Sequence, residues 1–206
     1  MADHAKPLRE QDLAPDPLSQ FAAWYREVEA TDLRLPEAVA LATASAEGAP
    51  SLRMVLLKGF DARGFVFFSN YSSRKGRELD ANPRAALLFH WDPLGRQVRI
   101  TGAVEHTGAE ETAEYMHSRP RRSQLSALAS PQSRVIESRD ALEGRVAELQ
   151  RRYPEGELPV PESWGGFRLE PETYEFWQQR EDRLHDRLRY RHEGGDGGWL
   201  VERLAP

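Results

Sequence analysis

The chain has 206 residues, no cysteine and a formal net charge of −5 at pH 7. The lack of cysteine excludes disulfides, thiolate catalysis and iron–sulfur clusters, and the negative charge argues against a general binder of nucleic acids or acidic membranes. The sequence has no N-terminal apolar segment and no apolar run of about 18 residues, so we expect a cytoplasmic protein with one domain.

The start of the chain is polar and contains prolines, which predicts a flexible segment over residues 1–15 and a single domain over residues 16–206. Asp16 followed by Pro17 is typical of a helix start, because aspartate caps free amide groups and proline suits the first turn. The spacing of the apolar residues predicts that this helix ends at about Ala30.

Short apolar and aromatic runs follow this helix, separated by turns rich in Gly, Asp and Pro. They predict five strands, at about 39–44, 52–57, 65–69, 84–91 and 97–106. Short strands joined by tight turns favour an antiparallel barrel or a curled sheet over parallel βαβ units.

Helical segments interrupt the strands in the middle of the chain. They are predicted from Thr107 to Arg119, from Arg121 to Ala129 and from Ser138 to about Arg152. The last third returns to strands, at 166–169, 173–178, 183–192 and 199–204, with a hairpin tip over residues 193–198. The predicted fold class is therefore α+β, mostly β, with peripheral helices.

A basic helix start is the most informative local feature. Ser72 or Ser73 can cap a helix from about Arg74 to Ala81, and its first turn carries Arg74, Lys75 and Arg77. Cations at this end of the helix dipole are unfavourable by about 0.3–1 kcal/mol each. A bound phosphate would offset that cost, because free amide groups point at the same place. The alternative interpretation is a solvated basic turn.

Two cations on the preceding strand raise a question of geometry. Arg53 and Lys58 are five residues apart, so an ideal strand directs them to opposite faces, about 16–17 Å apart. One ligand that runs along the strand and two separate anion sites are both compatible with this spacing. The chain has three lysines, at positions 6, 58 and 75, and 25 arginines. Two of the three lie in this stretch. Either an ammonium group is required there, or the placement arises by chance.

Two further clusters contain cations. Tyr115, Arg119, Arg122 and Ser123 combine hydroxyl and guanidinium groups that suit a phosphate. Cations and a histidine also alternate along the strand predicted over 183–192. We interpret Arg189 and Arg191 as the charges of an exposed edge strand. The series begins with Arg183, His185 and Arg187. Their position near the aromatic pair Phe176 and Trp177 predicts a half-buried pocket.

Seven segments together resemble the pyridoxamine 5′-phosphate oxidase family, over Leu8 to Pro206. They are RMVLLK at 53–58, SRK at 73–75, GRQVRITG at 95–102, HSRPRRSQ at 117–124, WGGFR at 164–168, EFWQQREDRLHDR at 175–187 and WLVERLAP at 199–206. The resemblance implies an antiparallel FMN-binding split barrel and a homodimer with FMN between the subunits. It also implies oxidation of pyridoxamine or pyridoxine 5′-phosphate to pyridoxal 5′-phosphate, with O2 as electron acceptor and H2O2 as product.

The matched motifs imply which residues form the site. The implied FMN contacts are Arg53, Met54, Val55, Leu56, Leu57, Lys58, Phe68, Ser69, Arg74, Lys75, Gln97, Gln132, Ser133, Trp177 and Arg187. The implied substrate contacts are Lys58, Tyr115, Arg119, Ser123, Arg183, Leu184 and His185. Our hypothesis is that Arg187 stabilises negative charge on reduced flavin while Arg183 and His185 position the substrate. No metal site is expected, because no histidine has ligand spacing with carboxylates.

The chain departs from the family pattern in two places. Phe68 and Ser69 stand where tyrosine and threonine are usual, which removes one phenolic hydrogen bond. The first six residues do not match the basic segment that can cover the substrate in the family. Two alternatives stay open: a sister split-barrel flavin oxidase of the phenazine-pathway type, and a non-catalytic protein that binds FMN or pyridoxal phosphate.

Overall fold

The computed structural model describes residues 6–193 and 198–206. Its helices are α1 (Pro17–Glu29), α2 (Arg74–Ala81), α3 (Ala109–Ser118), α4 (Arg121–Ala129) and α5 (Arg139–Arg152). Its strands are β1 (Ala38–Ala44), β2 (Pro50–Leu56), β3 (Gly59–Asp61), β4 (Gly64–Asn70), β5 (Arg84–Trp91), β6 (Arg96–His106), β7 (Trp164–Gln178), β8 (Asp186–His192) and β9 (Trp199–Arg203). Residues 1–5 of the predicted flexible segment and residues 194–197 of the predicted hairpin tip lie outside this description.

Every strand pair in the described residues is antiparallel, as predicted. The strand order is β2-β1-β5-β6-β7-β4-β3, and β8 and β9 continue from β7. The long strand β7 organises the sheet: β6 pairs along one edge, and the other edge is shared by β4 near Trp164 and by β8 near Gln178. The register between β6 and β7 shifts at Thr101/Gly102, a bulge that increases local twist and curls the sheet.

Aromatic side chains fill the inside of the curled sheet. Phe21 on α1 is fully buried, and its ring meets those of Phe65, Phe60 and Phe89 at centroid distances of 4.8, 4.9 and 5.1 Å. Edge-to-face contacts of this kind add to the gain from burying the rings. Asp16 caps α1 by accepting a hydrogen bond from the Ser19 amide at 2.8 Å, as its sequence predicts. The contacts of Phe21 anchor this helix against the sheet.

The structure corrects two predictions in the last third. The strands predicted at 166–169 and 173–178 are one continuous strand, β7, because the bulge absorbs the irregularity without a turn. The strand predicted from residue 183 begins at Asp186, since Arg183 has a φ of 62° that no extended strand accommodates. Arg183, Leu184 and His185 therefore lie in the loop before β8.

The edge-strand interpretation of Arg189 and Arg191 is also wrong. β8 lies between β7 and β9, so it is not at the edge of the sheet. Arg189 and Arg191 pair with Glu202 of β9 at 2.7 and 3.7 Å. These ion pairs across neighbouring strands explain how β8 tolerates its row of cations.

Strand β2 is at an edge of the sheet and is apolar on its exposed face. Leu52 and Met54 are 70% and 63% exposed, and Leu56 is 37% exposed. The opposite face directs Arg53 toward the body of the protein. Within the described residues, no helix has the length and apolarity that a membrane crossing requires.

Candidate active site

The N-terminus of α2 is presented beside the end of β4. Ser73 caps the helix, since its Oγ accepts a hydrogen bond from the Gly76 amide at 3.2 Å. Gly76 is required here, because a Cβ at this position would lie 1.9 Å from the Tyr71 carbonyl oxygen. The missing side chain allows the first turn of α2 to pack against the chain that leaves β4. This arrangement brings Lys75 to Ser69.

Lys75 is a buried cation with neutral acceptors. Its side chain is almost enclosed, and its Nζ donates hydrogen bonds to Gln132 Oε1 at 2.8 Å and to Ser69 Oγ at 3.0 Å. Burial, together with repulsion from Arg53, lowers the pKa of Lys75 to about 8. An ammonium without a carboxylate partner in the described residues is poorly compensated. This position therefore favours an anion.

Arg53 and Arg74 meet at one carboxylate, that of Glu78. Arg74 Nε donates to Glu78 Oε1 at 2.8 Å, and Arg53 Nη2 lies 3.2 Å from Glu78 Oε2. Burial opposes ionisation of Glu78, but hydrogen bonds from Ser51, Thr43 and Arg74 outweigh it and lower its pKa to about 2. We call Arg53, Ser69, Arg74, Lys75, Glu78 and Gln132 the α2 cluster. It combines three cations with one carboxylate.

A second group is built from stacked rings. The rings of Phe68 and Tyr115 are 3.9 Å apart, Phe68 also stacks on Trp164 at 5.5 Å, and the Arg119 guanidinium lies 4.9 Å from the centre of the Trp164 ring. Burial raises the pKa of the Tyr115 hydroxyl and lowers that of Arg119. We call these four residues and Lys58 the aromatic cluster. A cavity of about 310 Å³ is lined by Lys58, Phe68 and Tyr115, and also by Arg168 and the carboxylates of Asp61, Glu111 and Glu114.

A third group lies where β6, β7 and β8 run side by side. Gln97 is opposite Trp177 in the register, and Trp177 is opposite Arg187. His185 packs on Trp177 with ring centroids 4.6 Å apart, and its Nδ1 accepts a hydrogen bond from the Arg180 amide at 3.0 Å. That bond leaves the His185 proton on Nε2 in the neutral ring. We call Gln97, Trp177, His185 and Arg187 the strand-end group.

Arg187 is held by its own neighbours. Its Nε donates to Glu175 at 2.7 Å, and its Nη1 donates to the Ala205 carbonyl at 2.8 Å. The hydrogen bond to Glu175 raises the pKa of Arg187, although partial burial opposes the rise. The guanidinium therefore keeps one orientation and remains charged. Arg183 and Leu184, in the preceding loop, are exposed, so the half-burial predicted for Arg183, His185 and Arg187 is wrong for Arg183.

The geometry separates Arg53 from Lys58. Arg53 belongs to the α2 cluster and Lys58 to the aromatic cluster. This agrees with two anion sites better than with one ligand along the strand. The other implied residues of this stretch are divided: Met54 and Leu56 are exposed, Val55 packs against the core, and Leu57 is buried in the core. Leu57 can therefore contact a ligand only through its backbone.

Two further implied residues lie outside these groups, as do Arg183, Leu184 and the residues from Met54 to Leu57. Ser123 is half-buried in the first turn of α4, where its amide bonds to the Pro120 carbonyl. Ser133 is exposed, and its φ is 69°. Among the described non-glycine residues, Ser133 and Arg183 alone have a positive φ. Backbone of this kind costs free energy and is enriched at functional sites.

Sequence reasoning missed several residues that organise the groups. Glu78 could have been found, since it follows Arg74 by four residues on one helix face. Trp164 lies in the WGGFR motif, but nothing in the sequence indicates that its ring stacks on Phe68. Arg168 is buried and bridges Glu111 at 2.8 Å and Asp61 at 3.2 Å, which ties α3 to the β3–β4 hairpin. No local pattern predicts that bridge.

Family models match most of the chain. Residues 26–153 match the model described as pyridoxamine 5′-phosphate oxidase. Residues 164–206 match the pyridoxine 5′-phosphate oxidase C-terminal dimerisation region. Curated relatives named pyridoxine/pyridoxamine 5′-phosphate oxidase include one from Salinibacter ruber, 53% identical over 97% of this chain and 93% of its own length. Another, from Bordetella pertussis, is 55% identical with the same coverage.

Two solved structures have a similar fold. PhzG from Burkholderia lata, in complex with tetrahydrophenazine-1-carboxylic acid, is 33% identical with a TM-score of 0.91, over 99% of this chain and 100% of that chain. An FMN-binding protein from Nostoc punctiforme, related to pyridoxamine 5′-phosphate oxidase, has a TM-score of 0.74 at 17% identity, over 94% of this chain and 100% of that chain. The predicted split barrel is thus confirmed, and the chain belongs to the pyridoxamine 5′-phosphate oxidase family of oxidoreductases.

Proposed function

We propose that the protein is an FMN-dependent oxidase that converts pyridoxamine 5′-phosphate and pyridoxine 5′-phosphate to pyridoxal 5′-phosphate. O2 is the electron acceptor and H2O2 the product. One observation carries the proposal: the chain has two separate cationic groups, the α2 cluster and the aromatic cluster. The reaction requires two phosphorylated aromatic molecules at one site, and two phosphates need two such groups.

The α2 cluster suits the phosphate of FMN. Lys75 lacks a carboxylate partner in the described part of the chain, and the N-terminus of α2 adds free amide groups and the positive end of its dipole. Arg74 is 59% exposed and is held by Glu78 through its Nε, which leaves its terminal nitrogens to meet an incoming phosphate. The donor set therefore fits a phosphate monoester. Ser69 and Gln132 hold Lys75 in place for it.

The aromatic cluster suits the phosphate of the substrate. Lys58, Tyr115 and Arg119 supply two cations and a hydroxyl around stacked rings, and Ser123 begins the next helix. Arg119 is partly buried, which strengthens its interaction with an anion, and Lys58 is exposed and can reach the anion from solvent. Binding energy from this remote phosphate can then serve to align the reacting part of the substrate.

We propose that the active form is a homodimer with FMN between the subunits, and that residues 16–206 form one domain. Residues 164–206 match a family model that is described as a dimerisation region, which supports this assembly. The exposed apolar residues Leu52, Met54 and Leu184 would then be covered by the second subunit. The strand-end group of one subunit would complete the site formed by the α2 and aromatic clusters of the other.

When bound in this site, FMN would supply the acceptor for a hydride equivalent, with O2 as the final electron acceptor. Arg187, fixed by Glu175 and the Ala205 carbonyl, would stabilise the negative charge that develops on the cofactor. His185 presents Nε2 to the substrate because its Nδ1 is engaged. Arg183 and His185 would position the pyridine ring of the substrate for the transfer.

A spectroscopic experiment tests the function. The purified protein should be yellow or take up FMN on reconstitution, and pyridoxamine 5′-phosphate should bleach the flavin absorbance without oxygen. The bleaching should be accompanied by pyridoxal 5′-phosphate, with water consumed and ammonia released from the amine substrate, and admission of oxygen should restore the colour and form H2O2. Failure to bind FMN would refute the proposal. Flavin that stays oxidised with the substrate would instead indicate a non-catalytic binding protein.

A second candidate is a flavin oxidase that acts on a reduced phenazine. The likeness to PhzG over the full chain supports it, and that protein was solved with tetrahydrophenazine-1-carboxylic acid. The named pyridoxine/pyridoxamine 5′-phosphate oxidases share 53–55% identity, compared with 33% for PhzG, which favours the phosphorylated substrate. Parallel anaerobic bleaching with both compounds distinguishes the two. Faster reduction by the phenazine would reverse our preference.

A further inference from the structure

The carboxylate of Glu78 lies at the centre of the α2 cluster. Its side chain is 8% exposed, and it is buried between β1, β2 and α2. Its Oε1 accepts from Arg74 Nε at 2.8 Å. Its Oε2 accepts from Thr43 Oγ1 and Ser51 Oγ at 2.5 Å each and from Arg53 Nη2 at 3.2 Å. Both oxygens thus accept hydrogen bonds, one at Oε1 and three at Oε2.

Besides the direct contact, the hydroxyl groups of Thr43 and Ser51 also bridge Glu78 and Arg53. Thr43 Oγ1 accepts from Arg53 Nη1 at 2.6 Å, and Ser51 Oγ accepts from Arg53 Nη2. Each hydroxyl then donates its own proton to Glu78. Arg53 Nη1 also donates to the Leu41 carbonyl at 3.1 Å. The guanidinium therefore has one orientation, in which its terminal nitrogens face Glu78 and the strands.

Glu78 offsets the repulsion among the cations of the α2 cluster. Arg53, Arg74 and Lys75 are three cations in a partly buried space, and repulsion from Arg53 contributes to the low pKa of Lys75. Glu78 neutralises one positive charge and leaves two. A phosphate monoester carries a charge of about −1.5 to −2 at neutral pH, which matches the remainder. Without the carboxylate, Arg53 and Arg74 would have no common anchor and would repel each other and Lys75.

We propose that Glu78 is a positioning residue for the phosphate of FMN: it fixes Arg53 and Arg74 and sets the charge of the α2 cluster. This inference rests on the proposed function, because it takes FMN as the ligand. Glu78 acts through the two arginines and Lys75, and it does not touch the phosphate itself. Its effect is therefore confined to ligands that carry the phosphate.

The test compares FMN with riboflavin, which has the same ring system and no phosphate. Binding of each to the apoprotein is measured by quenching of flavin fluorescence. Glu78→Gln keeps the size of the side chain and removes its charge. We expect its Kd for FMN to rise about tenfold or more, the loss of roughly one charge-assisted hydrogen bond, with the Kd for riboflavin unchanged. Glu78→Asp should recover part of the FMN affinity.

The chain supplies a matched control on α5. Arg139 Nε and Glu143 Oε1 are 2.7 Å apart with the same four-residue spacing as Arg74 and Glu78, but this pair is exposed. Glu143→Gln should leave the Kd values of both flavins unchanged. A Glu78→Gln protein that binds FMN normally, or that loses FMN and riboflavin affinity equally, would overturn the inference.

A second variant keeps the inference testable if Glu78→Gln does not fold. Ser51→Ala removes one of the two hydroxyl bridges between Arg53 and Glu78. It should weaken FMN binding by about threefold to tenfold, less than Glu78→Gln because Thr43 still bridges the two charged groups, and leave riboflavin binding unchanged. Equal effects on both flavins, or none, would count against the role of Glu78. Wild-type protein that fails to bind FMN would instead refute the proposed function.

Discussion

The α2 cluster and the strand-end group differ in how completely one chain builds them. In the α2 cluster, Lys75 and Glu78 are enclosed, and their contacts come from β1, β2, β4 and the segment after α4. In the strand-end group, the neighbouring loop exposes Arg183 and Leu184, and Arg183 has a strained backbone. Under the proposed function, one chain preorganises the phosphate site, whereas the site of ring chemistry is completed by a second subunit.

The largest expected effect comes from removing that second surface. Leu52→Asp combined with Met54→Asp places two carboxylates on the exposed apolar face of β2, where burial against another subunit would be costly. We expect a folded monomer whose turnover falls by about a hundredfold or more, since the reacting groups are no longer aligned. Light scattering and pyridoxal 5′-phosphate formation measure the two properties.

Leu35→Asp is the control for this pair, because Leu35 is also an exposed apolar residue but lies outside β2. It should remain dimeric and active. If the doubly substituted protein stayed dimeric, or became a monomer with full turnover, the strand-end group would not depend on a second subunit and would not differ from the α2 cluster in this respect.

The next largest effect concerns the α2 cluster itself. Lys75→Met keeps the length of the side chain and removes the ammonium that faces Ser69 and Gln132. We expect the Kd for FMN to rise about tenfold to a hundredfold, because charge-assisted hydrogen bonds contribute about 1.5–3 kcal/mol. Lys6→Met, at an exposed lysine that pairs with Asp12, should leave the Kd unchanged. Normal FMN affinity in Lys75→Met would mean that the phosphate binds elsewhere.

The same lysine predicts a dependence of apoprotein stability on pH. The pKa of Lys75 is about 8 in the folded state, against an ordinary value of 10.5, so between these pH values the unfolded chain binds more protons. The apoprotein therefore gains stability as pH rises from 8 to 10.5, and below pH 8 the buried ammonium costs on the order of 2 kcal/mol.

Lys75→Met has no ammonium at this position and therefore lacks this penalty. The difference in stability between wild type and the variant separates the contribution of Lys75 from those of the other titrating groups. The variant without FMN should be more stable than wild type at pH 7, and the gap should close toward pH 10.5. Urea unfolding at several pH values measures it. A constant gap across this range would show that the ammonium is not the source of the difference.

The smallest expected effect is on the chemical step. Arg187→Leu removes the guanidinium held by Glu175, and we expect flavin reduction by pyridoxamine 5′-phosphate to slow about tenfold, as when one stabilising group for developing charge is lost. Anaerobic stopped-flow absorbance measures the rate. Arg189→Leu, two residues along the same strand and paired with Glu202, is the control and should reduce normally. Equal rates in wild type and Arg187→Leu would remove Arg187 from the mechanism.

Local patterns predicted the helices and most strands of the fold. Asp16 and Ser138 cap helices where the sequence indicated, because a cap depends on residues a few positions apart, and the structure selects Ser73 where the sequence left Ser72 and Ser73 open. The last third was less predictable. The bulge opposite Thr101 and Gly102 merged two expected strands into β7, since a bulge depends on the pairing with another strand.

The sequence by itself determined the motifs of the family, the basic start of α2 and the antiparallel character of the sheet. These depend on neighbouring residues and on alternation along a strand. Only the tertiary structure decided that Lys75 is buried with neutral partners and that Glu78 joins Arg53, 25 residues away, to Arg74. Burial and long-range ion pairs arise when distant elements pack together, and local patterns along the chain do not encode which elements meet.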